Sequence, residues 1–522
     1  MELTINQIRN NKTNNYQPKF KGILDAPLTS VLRVLDSNEM ANAAVLDLGT
    51  MVAPRTYFDS KERNKYAGAE TFIREICGTF INCFSAGIFG GLIAKAVVKH
   101  IDKNVNINPK SWFSNDSLNV LKSAWDGSQN NTYNYVKNVL NGISAKDGLK
   151  TVKFSDINWD KTQWFEEDKW LKYRWDNPVY ANLHNKLKTA DSIIKHTASL
   201  IDDKNLTVHD KKQAFGIIES RITNGLKANK DIEVKSGKYT LSTNLTNLIR
   251  DIYDLGNDVF TNPKVDIQGA LNKIRKVNNA KIFGALALAS GVGISVQRLN
   301  RKLTEKRTGQ KGFVGEVDYL DRVNKANSQT ASVESNDKNK TLWAKKIFAS
   351  VGMAMMVMGV MKVKNPADFV KKLQFTGPVS TGNAIKTVYM STIIGRFLAA
   401  DSDNELRETV VRDYFGFLNW LVLGGFAAKG VANILDPKKE NLFNIKKDGK
   451  GIMHWLNDLS LKTHTEIASK GAEFAKKNIW KLNVSHIAGL AYSTIMLGIV
   501  LPKINIYMTK HKAEKENKSE KS

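Results

Sequence analysis

Five stretches of this chain contain no Asp, Glu, Lys or Arg: Ile76–Ala94, Ile282–Val296, Ile347–Met361, Tyr414–Ala428 and Val484–Leu501. The first and last, 19 and 18 residues long, reach the length at which a helix crosses a hydrocarbon core of about 30 Å. The other three, 15 residues each, suit a tilted span, a re-entrant helix or the buried helix of a soluble protein. Several of the runs are apolar on every side. They also carry small residues four apart, as at Gly87 and Gly91 or Ala289 and Gly293, a spacing that lets helix backbones approach closely in lipid. Proline is scarce, at 10 residues in 522, which favours long helices. The expected fold is mainly α: a membrane-embedded helical bundle, multi-pass. A mean hydropathy of −0.33 keeps a soluble basic helical scaffold as an alternative.

The runs are not independent of one another. "ETFIREICGTFIN" (Glu70–Asn82) returns as "ETVVRDYFGFLN" (Glu408–Asn419), and the likeness extends to both sides. Upstream, Asn42–Arg55 and Asn383–Arg396 align without a gap, sharing an Asn-Ala start and an Arg end. Downstream, Gly90–Asp102 pairs with Gly424–Asp436. A second block, Ala270–Thr304, aligns without gaps on Ala475–Thr509 and shares Ala270/Ala475, Gly293/Gly498, Asn300/Asn505 and Thr304/Thr509 among others. Two blocks in the same order predict a duplication, with the bundle built from two repeated halves. Each half would hold a pre-helix, a first apolar helix, a connection and a second apolar helix.

The predicted organisation is a disordered N-terminal tail over 1–22, the first part of half 1 over 23–102, a polar Trp-containing insert over 103–269, and the second part of half 1 over 270–307. A linker over 308–368 carries the unmatched apolar helix 347–361. Half 2 covers 369–511, and a charged tail covers 512–522. Within the insert, alternation on both sides of Ser236-Gly237 predicts a small β-hairpin, and the remainder reads as mostly helical. Trp159, Trp164, Trp170 and Trp175, about five residues apart, could form an aromatic surface or simply a small core.

Residues 271–522 hold 41 Lys+Arg against 21 Asp+Glu, which accounts for most of the net charge of +26. These lysines bracket apolar runs, as Lys345, Lys346, Lys362 and Lys364 do. That placement points to the anionic headgroups of a lipid bilayer rather than to nucleic acid. If only the four repeated helices span, both termini share the cytoplasmic side with 298–413, which holds 20 Lys+Arg, and the insert lies outside.

Catalytic patterns are missing from the sequence. There is no H-E-x-x-H pair, no G-x-S-x-G elbow and no GxxxxGK[ST] loop, so neither a catalytic residue, a metal site nor a cofactor is expected. Cys77 and Cys83 read as small buried residues. The residues singled out are the recurring acid and base, Glu70 with Arg74 and Glu408 with Arg412, expected as i, i+4 ion pairs at the mouths of the first apolar helices. Gly87, Gly91, Gly424 and Gly425 are the expected helix-packing glycines. The expected function is a structural or interaction protein of the membrane, non-enzymatic, with the insert offered to a protein partner. A repeat-built transporter of a small solute or lipid is the alternative.

Overall fold

The computed structural model describes residues 27–101, 113–162, 186–309, 336–373 and 382–520, apart from isolated positions within those ranges. The fold is mainly helical. The first segment comprises α1 (Pro27–Ser37), α2 (Glu39–Leu46), α3 (Ala53–Phe58) and α4 (Lys65–Ile101). The insert contributes α5 (Asn115–Asp126), α6 (Thr132–Asn141), β1 (Ile143–Asp147), β2 (Lys150–Lys153), α7 (Ala190–Asp202), α8 (Val208–Leu226), β3 (Ile232–Ser236), β4 (Tyr239–Thr243) and α9 (Leu245–Leu255). Then follow α10 (Ile267–Thr308), α11 (Asn336–Val360), α12 (Gly382–Ala399), α13 (Asp403–Leu418) and α14 (Gly424–Leu435). The last segment holds β5 (Phe443–Ile445), α15 (Gly451–Asn457), β6 (Leu459–Leu461), α16 (His464–Ala468), α17 (Ala472–Ser493) and α18 (Leu501–Glu520).

Among the described residues, four helical stretches are long and apolar enough to cross a membrane: Ile267–Thr308, Lys340–Val360, Asp403–Leu435 and Ala472–His511. Three of them contain one of the runs read from the sequence, and Lys340–Val360 holds all of Ile347–Met361 but its last residue. Their boundaries follow local chemistry. Asp266 caps α10 by accepting from the backbone N–H groups of Gln268 and Gly269, and Gly309 ends it at φ +73°, a conformation that favours glycine. Ser402 likewise caps α13 by accepting from Glu405 N.

At 42 residues α10 is about 63 Å long, twice what a bilayer core requires. The excess is used at both ends. Ala270, Leu271 and Ile274 belong to the core of the insert, which they share with residues such as Leu118, Tyr135, Ile218 and Ile252. At the far end, Asn300 and Thr304 are buried against α4. One continuous helix therefore joins the insert to the opposite end of the bundle.

The expected hairpin at Ser236-Gly237 is present, with Ser236 paired to Tyr239 and Gly237 at φ +54°. It forms half of a four-stranded antiparallel sheet of order β2-β1-β3-β4, so the insert holds a second hairpin as well. The insert rests on the connection between α14 and α17. Lys227 Nζ donates to Ser469 O at 2.5 Å, and Asn229 N donates to a Glu466 carboxylate oxygen at 3.4 Å.

In the bundle, α10 packs lengthwise on both α4 and α12. Its crossing with α12 depends on glycine. A Cβ on Gly293 would collide with the Thr392 carbonyl, one on Gly395 would collide with the Ser290 carbonyl, and Ser290 Oγ donates to Ser391 O at 3.1 Å. The helix directions follow from such contacts. Lys345 in the first half of α11 meets Asp403 at the start of α13, whereas Met361 just beyond α11 meets Thr387 near the start of α12. The stretch α2–α3, then α4, α10, α11, α12, α13–α14 and α17–α18 alternate between the insert end of the bundle and its opposite end. Thr29 is bonded to Asn483 at the insert end, and Thr509 to Glu408 at the other.

Candidate functional site

The end of the bundle remote from the insert holds a dense set of buried charges. Two carboxylates each collect two arginines. Glu75 accepts from Arg55 Nη1 at 3.2 Å and lies 3.4 Å from Arg74 Nε, while Asp413 lies 3.2 Å from both Arg396 Nη1 and Arg412 Nε. Both acids are buried, with side-chain exposures of 6 % and 1 %. The outer arginine of each unit also reaches a neighbouring backbone. Arg55 Nε donates to Leu497 O at 3.4 Å, and Arg396 Nη2 to Arg74 O at 3.5 Å.

A second tier lies beside the first. Thr304 Oγ1 donates to Glu70 Oε1 at 2.5 Å while Asn300 Nδ2 donates to Glu70 O at 3.3 Å. On the other side Thr509 Oγ1 donates to Glu408 Oε2 at 3.1 Å and Asn505 Nδ2 to Glu408 O at 3.3 Å. Glu408 also binds Arg63, through both Nη atoms at 3.1 Å. Glu405 takes Gln297 Nε2 at 2.6 Å and Arg301 Nη1 at 3.1 Å, which fixes α10 against the start of α13.

Between the tiers is a small cavity of about 20 Å³ whose walls include Glu70, Thr71 and Arg74 from α4 and Glu408, Thr409 and Arg412 from α13. That is space for about one water molecule. The recurring acid-Thr-x-x-Arg phrase therefore meets itself across one small polar space.

The structure corrects the local pairing expected from the sequence. Arg74 and Arg412 turn to the next acids in line, Glu75 and Asp413, and not to Glu70 and Glu408. Those two glutamates are instead engaged by side chains from α10, from α18 and from Arg63. Helical i, i+4 spacing permits a pair worth a few tenths of a kcal/mol, and buried tertiary partners outweigh it. Arg55 and Arg396 were missed as site residues, although they are the shared Arg that closes the aligned blocks Asn42–Arg55 and Asn383–Arg396. The polar identities Asn300/Asn505 and Thr304/Thr509 were visible too, but without a partner assigned to them.

Of the expected packing glycines, Gly424 faces Ser493 and the Gly489 carbonyl, whereas Gly425 opens onto free space and packs nothing. Gly87 and Gly91 fall within α4, at positions whose packing lies outside what the structure describes. Trp159 is no surface platform. It is 4 % exposed, lies 5.0 Å from the Phe154 ring centroid, and has the Arg221 guanidinium over its face at 5.3 Å. Arg221 donates from Nε to Leu187 O and from Nη1 to Thr162 O, both at 2.9 Å, and burial lowers its pKa to about 10. Trp164, Trp170 and Trp175 lie outside the described residues.

The acids named above are each held by guanidinium, hydroxyl or amide donors. Separately, near the insert end, the fold gathers Asp36, His464 and His486, whose ligand atoms all lie within 4.8 Å of one another. Residues 428 positions apart carry no spacing signal that could have announced this group. No family model, no curated protein and no solved structure matches the chain.

Proposed function

We propose that the chain is a multi-pass membrane protein built from two repeated halves, locked together by the buried charge cluster. In this reading it is a structural or interaction protein, non-enzymatic, with its insert held at one membrane face as a docking module. One observation carries the repeat: positions that align in sequence make the same contacts. Thr304 and Asn300 hold Glu70 as Thr509 and Asn505 hold Glu408, and Arg55 with Arg74 flank Glu75 as Arg396 with Arg412 flank Asp413. The pre-helices are exchanged in a matched way. α12 packs on α10 through Gly293, and the stretch around Thr50 and Pro54 packs on Gly498, the residue aligned with Gly293.

Lipid, and not water, is the surrounding that the bundle's exterior suits. Only 11 % of the apolar window of Lys340–Val360 is buried in the protein, and Ile347, Phe348, Val351 and Met355 are about half exposed or more, Phe348 reaching 81 %. In water these side chains would form an exposed apolar face, the kind of surface that marks an interaction or membrane site. In this reading seven helical passages run between the two ends of the bundle, so that Pro27 and His511 would lie on opposite sides of the bilayer; if only the four repeated helices span, both termini share one side. The matching walls of the polar cavity are the one observation that favours the transporter alternative.

Alkaline carbonate extraction tests the membrane assignment. Retention of the full chain in the pellet is expected, and release into the supernatant would return the account to a soluble scaffold.

A further inference from the structure

The group formed by Asp36 on α1, His464 at the start of α16 and His486 on α17 has no part in the charge cluster, and its chemistry is different. His464 is fully buried; Asp36 and His486 are partly so. Asp36 Oδ2 lies 2.5 Å from His464 Nδ1 and accepts from His464 N at 2.7 Å. The other ring nitrogen, Nε2, lies 2.7 Å from Asn483 Oδ1, and Asn483 Nδ2 donates to Thr29 Oγ1 at 2.8 Å. The His486 ring is 5.5 Å from that of His464, centroid to centroid, at 30°.

We infer that Asp36, His464 and His486 form a binding site for one divalent transition-metal ion, zinc being the best fit, which staples α1 onto the corner between α16 and α17. Two imidazoles and a carboxylate make a donor set suited to zinc, whereas magnesium and calcium select oxygen ligands. Bonds of about 2.0–2.1 Å to a tetrahedral ion put ligand atoms about 3.3 Å apart. The ligand atoms already stand within 4.8 Å of one another, a spread that side-chain rotation can close. Asn483 takes the outer position usual for such sites. It accepts from Nε2–H of His464 and is itself held by Thr29, which leaves the Nδ1 lone pair directed toward Asp36 and the ion. Zinc enters as the dication and displaces the proton shared by Nδ1 and Oδ2, with no redox change. The remaining coordination position is left to water. This inference is independent of the repeat and of the lipid assignment.

The alternative occupant of the same geometry is a proton, with His464 and Asp36 forming an imidazolium–carboxylate pair in which His486 has no role. The experiment uses the full chain purified in detergent without a histidine tag, stripped with EDTA, and titrated with zinc chloride or cobalt(II) chloride. Expected are one tightly held zinc per chain by elemental analysis, a visible d–d absorption band with cobalt, and a zinc-dependent rise in the thermal midpoint. All three should be lost in His486→Ala and in the milder His486→Gln, the circular dichroism of each variant matching the parent. Asp36→Asn should weaken zinc binding by at least about tenfold. A parent protein that takes up no zinc overturns the inference in favour of the ion pair. Zinc uptake unchanged in both His486 variants overturns it by placing the ion elsewhere.

Discussion

Removing the outer arginine from each carboxylate unit should cost nearly the same in either place. Arg55 and Arg396 are both 3 % exposed, and each makes one ion pair at 3.2 Å and one longer bond to a backbone carbonyl. Substitution by methionine keeps most of the side-chain volume, so the loss is electrostatic and not a cavity. Breaking a buried pair by removing one partner costs about 3–5 kcal/mol, because the remaining charge stays out of water. Here Glu75 keeps Arg74, and Asp413 keeps Arg412, which places each loss at the low end, about 3 kcal/mol. Equilibrium denaturation of the detergent-solubilised protein, followed by tryptophan fluorescence, reads the two losses directly. Arg55→Met and Arg396→Met should agree within about 1 kcal/mol, the scatter expected for one interaction in two settings. If one substitution is tolerated within about 0.5 kcal/mol, as a surface change is, and the other is not, the two units are not equivalent and the reasoning fails.

The α10–α12 crossing should reject side chains: Gly293→Leu should lower the thermal midpoint sharply, at a cost of about 3 kcal/mol or more, because the carbonyl it meets belongs to packed backbone. Gly425→Ala, in open space within a helix, should instead gain up to about 1 kcal/mol. In the insert, Arg221→Met strands three backbone carbonyls, those of Leu187, Thr162 and Trp159, and should raise the rate of limited proteolysis between residues 113 and 266 while leaving the bundle intact. Asp251 offers a pH test. Burial raises its carboxyl above the ordinary 3.8, against the pull of Arg250 and Ser117, so the folded state holds this proton more tightly than the unfolded chain does. The contribution to stability is therefore fully present at low pH and is lost as pH rises through the folded value. Asp251→Asn should flatten that part of the stability–pH curve of the insert, measured by hydrogen exchange of α9, and an unchanged slope would show that the group is not buried as described.

Much of the bundle was legible because apolar runs and their flanks obey one-dimensional rules. Ile282–Val296 lies in α10, Ile347–Met361 coincides with the last part of α11 and the residue after it, and Val484–Leu501 runs from α17 into the first residue of α18. Helix length was not legible in the same way. The polar flanks of α10 are helical because Ala270 and Leu271 bury in the insert and Thr304 buries against Glu70, and both are tertiary events. The hairpin of β1 and β2 was missed even though Asp147-Gly148 is a turn signal, since its strands alternate weakly and β2 is largely exposed. In the charge cluster, the recurrence of Glu70, Thr71 and Arg74 marked the right neighbourhood and the wrong partners, because spacing along one helix says nothing about which helix lies across from it. The Asp36, His464 and His486 group illustrates the same limit at longer range.

The central claim is that matched positions meet matched partners, and chemical cross-linking in native membranes tests it most directly. In a background without Cys77 and Cys83, paired cysteines at Glu70 with Thr304, and at Glu408 with Thr509, replace residues that touch in the structure. A short bifunctional methanethiosulfonate, applied to carbonate-washed membranes, should link both pairs to similar extents. The crossed pairs, Glu70 with Thr509 and Glu408 with Thr304, should remain unlinked. Equal linking of crossed and matched pairs, or linking of one matched pair without the other, would contradict the account.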